Sequence, residues 1–143
     1  MAVSTMTLSA TMQEKYKTEV NASHRFIIDQ PKSAGGEDAG ANPLEHFLAS
    51  LAGCMTAIGR IAAQQQRINL RGMKVTVEGD IDKNVLLGKN KKDRAGFTEI
   101  RTYVEVDADL TDSEKEEFIE TVENRCPVAD VMKNGTKVKA QLS

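Results

Sequence analysis

The stretch "NPLEHFLASLAGC", residues 42 to 54, decides the reading of the fold. Asn42 suits a helix N-cap, Pro43 suits the first helical position, and Glu45 stands three residues after the cap, where its carboxylate can close a capping box. Leu44, Phe47, Leu48, Leu51, Met55, Ile58 and Ala62 then recur at three- and four-residue spacing. They form one apolar stripe and predict a helix running to about Gln66. Ala49, Ala52, Gly53, Ala57 and Gly59 keep the helix surface low, so another backbone can approach closely at some cost in helix propensity.

Upstream of this helix, "PKSAGGEDAGAN" is a Gly-rich polar connector. It lacks the Gly-Lys-Ser/Thr ending of a phosphate-binding loop, so nucleotide binding is rejected there. Before it, "EKYKTEV" and "HRFIID" read as strands. Downstream, "MKVTVEGDI" and "TEIRTYVEV" alternate apolar with polar residues and read as half-buried strands. The basic segment between them, "DKNVLLGKNKKDRAG", reads as a solvated hairpin loop, because no aromatics are interleaved to suggest a nucleic-acid surface. "TDSE", from Thr111 to Glu114, is a second capping box, and Phe118, Ile119 and Val122 give its helix an inward face. Pro127 disfavours helical geometry at Cys126, so the helix breaks there. A short helix can restart on Pro127, with Val128, Val131 and Met132 inward and Gly135 as its stop. "TKVKAQL" reads as a last strand. The order of strands, long helix, strands, helix and strand is α+β rather than alternating α/β.

A chain of 143 residues suits one compact domain, taken as 1–143. Aromatics are 4% and Trp is absent, so the core is aliphatic with Met. Lys plus Arg is 19 against 21 Asp plus Glu, a balance with no general attraction to nucleic acid or an anionic membrane. The N-terminus lacks a basic start followed by an apolar run, and no apolar stretch reads as long enough to span a bilayer. A cytoplasmic protein is expected. Two cysteines are too few for a disulfide-rich scaffold, and in a reducing compartment they are free thiols, metal ligands or a transient redox pair.

Cys126 falls near the N-cap of the short helix, beside Arg125. Helix N–H groups and a neighbouring cation lower a thiol pKa, whereas a helix break can equally hold an inert buried thiol. Cys54 lies within the long helix at the flank of its apolar stripe, and needs a cation to become reactive. Arg25, in "ASHRFIID", is the candidate. Glu45 has a capping role already, and nine helical steps of about 100° put it opposite Cys54 and about 14 Å away along the axis. If the two cooperate, a second subunit is the natural way. No pair among His24, His46, Cys54 and Cys126 has a recognised metal-ligand spacing, so no metal is expected.

With these residues in view, the sequence resembles the OsmC/Ohr family of osmotically inducible and organic hydroperoxide resistance proteins. "GGEDAGANPLEHFLASLAGC" and "RCPVADVM" carry the resemblance, with "RAGFTEIRTYVEVDADL" a weaker match between them. The resemblance implies an intertwined α+β homodimer with antiparallel sheets, a long central helix and active sites at the subunit interface. It also implies a thiol peroxidase acting on organic hydroperoxides, with H2O2 a further candidate, and no cofactor. Cys54 would attack, Cys126 would resolve the product as a disulfide, and a dithiol, a lipoyl group among the candidates, would reduce it. Arg25 and Glu45 would take the roles of the family's arginine and acid. In well-characterised members the acid directly follows Asn-Pro, and here Leu44 holds that place with Glu45 one residue further on. The rival reading is an OsmC-like small-ligand-binding or redox-sensing protein without peroxidase turnover.

Overall fold

The computed structural model describes residues 1–143. Its chain forms two compact units, Met1–Phe47 and Leu48–Ser143.

In the first unit, three short strands make an antiparallel sheet in the order β1 (Ser9–Met12), β2 (Thr18–Asn21) and β3 (Arg25–Ile28). The two later strands overlap the segments expected to be extended, β2 running one residue past its segment to Asn21, and β1 is an addition. Its four residues are all exposed, so no period-2 pattern marked it in the sequence. Asp29, directly after β3, is 1% exposed and governs the Gly-rich connector. Its Oδ1 accepts the Gln30 N–H at 2.8 Å, and its Oδ2 accepts those of Glu37 and Ala39 at 3.2 and 3.1 Å. A Cβ on Gly36 would strike the Gln30 carbonyl, so the connector turns where only glycine fits.

The long helix, α1, spans Pro43–Gln65. Its capping box is formed as expected, with Glu45 N–H donating to Asn42 Oδ1 at 2.9 Å and Asn42 N–H donating to Glu45 Oε2 at 3.2 Å. The apolar stripe buries Leu51, Met55 and Ala62, joined by Gly59 and Ala63. Phe47, placed on the stripe by its spacing, is instead 42% exposed. With 23 residues and a mean hydropathy of 1.3 in its most apolar window, α1 is long and apolar enough to cross a membrane by length and composition, contrary to the expectation that no stretch would be. A core helix meets the same measure, and five α1 residues are buried in the chain.

The second unit packs α1 onto a two-stranded antiparallel ribbon of β4 (Gly72–Ile81) and β5 (Phe97–Asp107). Val75 faces Val104 and Met73 faces Val106 in the register, so one face of the ribbon is apolar. Gly59 has Met73 Sδ 2.5 Å from where a Cβ would sit, so there a side chain approaches closely, while Gly53 faces open space. The outer face is polar: Arg101 reaches Glu78, Asp80 and Glu99 at 2.6–3.0 Å. The connection between the strands holds a short helix, α2 (Lys83–Leu86), capped by Asp82, where the sequence suggested only a loop.

Helix α3 (Asp112–Arg125) opens on the expected Thr111–Glu114 capping box and buries Phe118 and Val122. Helix α4 (Pro127–Asn134) follows after the break at Cys126. Its buried residue is Ala129, whereas Val131, expected inward, is 44% exposed. Residues 136–142, expected as a last strand, form no strand and are exposed. The alternation is present, but a strand exists only when a neighbouring edge supplies its ladder, and nothing pairs with this one.

Candidate functional site

Cys126 belongs to the core cluster of the second unit, Cys54 packs against it, and both are free thiols. Cys126 is 1% exposed among the core residues, while Cys54 is half-buried at the edge of the same cluster. Local chemistry positions each. Pro127 forces the chain out of helical geometry, and Cys126 takes an extended φ of −79° and ψ of 112° as the shared C-cap of α3 and N-cap of α4. Its Sγ accepts the Ala129 N–H at 3.4 Å. Cys54 comes from α1, one turn after buried Leu51 and next to buried Met55. The two thiols lie close enough for Cys54 to act on the ionisation of Cys126.

The Cys126 thiol is pushed above its ordinary value of 9.0. Burial is the main cause, the neighbouring Cys54 thiol adds to it, and the N–H groups of Ala129 and Val128 pull the other way. Of the two readings the sequence left open, a thiol lowered by the helix start and by Arg125 or a buried one at a helix break, the burial fits the second. The N-cap geometry is present, but desolvation disfavours the thiolate more than the α4 N–H groups favour it. Arg125 does not help, because its guanidinium donates to Gln65 Oε1 at 2.8 Å on the surface.

Arg25 and Glu45 belong to the first unit. Arg25 lies on β3 with its side chain 79% exposed and pairs loosely with Glu19 at 3.8 Å. Glu45 is exposed, with one carboxylate oxygen engaged in the α1 cap. Arg60, another cation of α1, is committed to the Leu70 carbonyl at 2.7 Å. No three His, Cys, Asp or Glu side chains gather as a metal-binding group.

A cleft of about 240 Å³ opens in the second unit, lined by neither cysteine. Leu51, Met55, Phe97, Ile100, Ala129 and Met132 give it apolar walls, and Arg94 is among its lining residues. Ala129 is the residue whose N–H meets the Cys126 sulfur. Two residues away from any motif were passed over in the sequence. Asp29 pins the Gly-rich connector, and the signal for it was an acid just ahead of a turn-rich segment. Arg94 was absorbed into a generally basic loop, and only folding distinguishes it from Lys91 and Lys92.

Known proteins share this architecture. The hydroperoxide reductase of Mycoplasma genitalium is 27% identical over 127 residues, covering 88% of this chain and 86% of that protein. Among solved structures, the OsmC-like protein from Mycoplasma pneumoniae superposes with a TM-score of 0.79 at 22% identity, covering 92% of this chain and 89% of that one. An organic hydroperoxide resistance protein from Elizabethkingia anophelis superposes with a TM-score of 0.70 at 22% identity, over 93% of this chain and 91% of its own. Both carry the same α+β fold with antiparallel sheets. With the OsmC-like protein family matching residues 35–141, across α1, the ribbon and both cysteine segments, the chain belongs to that family.

Proposed function

We propose that the protein is a thiol peroxidase that reduces organic hydroperoxides, with Cys54 as the attacking thiol and Cys126 as the resolving one. The observation that carries this reading is the proximity of two free thiols that differ in burial. Relatives named hydroperoxide reductase and organic hydroperoxide resistance protein support a peroxide-related function.

The assignment of roles follows from physical chemistry. The thiolate is the nucleophile, so a buried thiol whose pKa is raised is the poorer attacker at neutral pH. Cys54 is the more accessible of the two and takes that part. Its thiolate attacks the terminal peroxide oxygen, the O–O bond breaks, and the alkoxide leaves and takes up a proton as an alcohol. Cys54 becomes a sulfenic acid. The Cys126 sulfur then attacks the Cys54 sulfur, forming a disulfide and releasing water, its proton leaving with the hydroxyl. An external dithiol reduces the disulfide by two exchange steps and is itself oxidised to a disulfide. A lipoyl-type dithiol fits this step, and the cytoplasm, where thiols are kept reduced, is the compartment proposed.

The proposal includes a homodimer, in which Arg25 and Glu45 of a second copy would serve as the cation and acid beside Cys54. One chain's own α1 puts Glu45 on the opposite side of the helix from Cys54. The test is mass spectrometry after one equivalent of an organic hydroperoxide. Cys54→Ser should consume none, and Cys126→Ser should consume about one equivalent and stop at a trappable sulfenic acid on Cys54. Sulfenic acid on Cys126 in the Cys54→Ser protein would reverse the roles. Oxidation of the native protein no faster than a free thiol would leave the small-ligand-binding reading, which draws on the cleft at Ala129.

A further inference from the structure

We infer that the connection between β4 and β5 is a docking tip for an anionic membrane surface. Leu86 and Leu87 enter the lipid headgroup layer, and the basic side chains around them in sequence meet its phosphates. The inference rests on the tip alone and not on the peroxidase reading.

Charge is spread unevenly along the chain. The whole protein carries −2, which gives it no general attraction to an anionic surface. Residues 82–96 hold five cations, Lys83, Lys89, Lys91, Lys92 and Arg94, against two acids, Asp82 and Asp93. That connection is therefore +3 and the rest of the chain −5. Ile81 pairs with Phe97 in the register, so all five cations gather at one end of the ribbon. All five are exposed, and none forms an ion pair. Both acids are engaged within the loop, where Asn90 Nδ2 donates to Asp93 at 2.6 Å and to Asp82 at 3.4 Å.

Inside this basic segment stands an exposed apolar pair. Leu86 and Leu87 are 67% and 61% exposed. An ordered backbone holds them there. Asp82 caps α2 by accepting the Asn84 N–H at 2.9 Å. The Asn84 carbonyl accepts the N–H groups of Lys89 and Asn90 at 2.8 and 3.1 Å, and Gly88 makes the turn with φ at 74°. Asn90 Oδ1 accepts those of Lys92 and Asp93 at 3.0 and 3.3 Å. The tip is thus formed before it docks, which limits the ordering cost of binding.

The combination selects the partner. Two adjacent leucines in water forgo the stabilisation that burial gives. Leucines among unpaired cations match the layer where phospholipid phosphates overlie acyl chains. Nucleic acid fits less well, because it stacks on aromatics interleaved with basic residues and residues 82–96 contain none. The same tip of a second copy would set +3 against +3.

Cosedimentation of the full reduced chain with lipid vesicles, at about 0.1 M salt, tests the inference. Phosphatidylcholine mixed equally with phosphatidylglycerol should carry the protein down, phosphatidylcholine alone should not, and rising salt should release it. Each cation near an anionic surface multiplies partitioning about fivefold, so the double substitution Lys91→Gln, Lys92→Gln should weaken binding about 25-fold. The double substitution Leu86→Ser, Leu87→Ser should weaken it at least about tenfold. Unchanged thermal unfolding would show that both variants keep the fold. Lys74, paired with Glu105, lies roughly 23 Å along β4 from Ile81, about two Debye lengths, so Lys74→Gln should change nothing. Failure to bind the mixed vesicles would overturn the inference. Binding that survives loss of the leucine pair would also overturn it, leaving a general polyanion patch. A dimer that dissociates on loss of the leucine pair would assign the pair to a subunit interface and overturn it as well.

Discussion

Cys126 has two separable roles, and paired substitutions resolve them. Its sulfur caps α4 by accepting the Ala129 N–H at 3.4 Å, and its side chain is 1% exposed in the core. Cys126→Ala removes the cap, worth about 1 kcal/mol, and a buried sulfur close in size to a methylene, worth about 0.8 kcal/mol. The expected loss is about 2 kcal/mol. Cys126→Ser keeps a capping oxygen, and its hydroxyl can accept the same N–H and donate to Cys54. It exchanges apolar volume for a satisfied hydroxyl, and the expected loss is about 1 kcal/mol. For a chain of 143 residues the difference of about 1 kcal/mol corresponds to roughly 4 °C in Tm. Urea unfolding under reducing conditions, at fixed protein concentration, should show midpoints in the order native, Ser, Ala with a constant slope. Both variants should lack the disulfide after peroxide, so stability and resolution separate. An Ala variant as stable as the Ser variant, or more so, would show that the sulfur acts only as a small hydrophobe and that the cap contributes nothing.

Other outcomes follow from the same structure. At neutral pH Cys126 should alkylate far more slowly than Cys54, since burial and the neighbouring Cys54 thiol raise its pKa above 9.0, and Arg125→Ala should leave that rate unchanged because Arg125 is engaged with Gln65. Faster labelling of Cys126 would contradict the burial account. Asp29 titrates below its ordinary 3.8: burial pushes it up, but the N–H groups of Ala39, Gln30 and Glu37 together outweigh that. The unfolded chain therefore binds the proton more readily, so the Asp29 contribution is present above pH 3.8 and is lost as pH falls through the lower folded value. Asp29→Asn should flatten that acid limb in stability measured from about pH 5 to about pH 2, and an unchanged limb would refute the link. Gly36→Ala, with its Cβ driven into the Gln30 carbonyl, should lower stability by about 1–3 kcal/mol by thermal unfolding, whereas Gly53→Ala, in open space, should not. Sedimentation should give a species of twice 15.6 kDa, and a lone 15.6 kDa species at micromolar concentration would refute the homodimer.

Local chemistry made much of the fold legible in the sequence. Asn42-Pro43 with Glu45, and Thr111 with Glu114, satisfy helix-end N–H groups from within four residues, so both helix starts could be read and both are found. Pro127 acts on its immediate neighbour, so the break at Cys126 was equally readable. The alternation of β4 and β5 records which side of each strand is buried. Where a property depends on what lies across space, the sequence could not give it. Residues 136–142 alternate like a strand but find no edge to pair with, and Phe47 has the spacing of the core without its burial. The acidity of Cys126 is the sharpest case. The sequence held the N-cap and the adjacent Arg125, both of which favour a thiolate. Only the packing of α1 against α3 and α4 supplied the desolvation and the Cys54 sulfur that reverse the sign, because the cost of burying a charge is set by the atoms surrounding it and not by its neighbours along the chain.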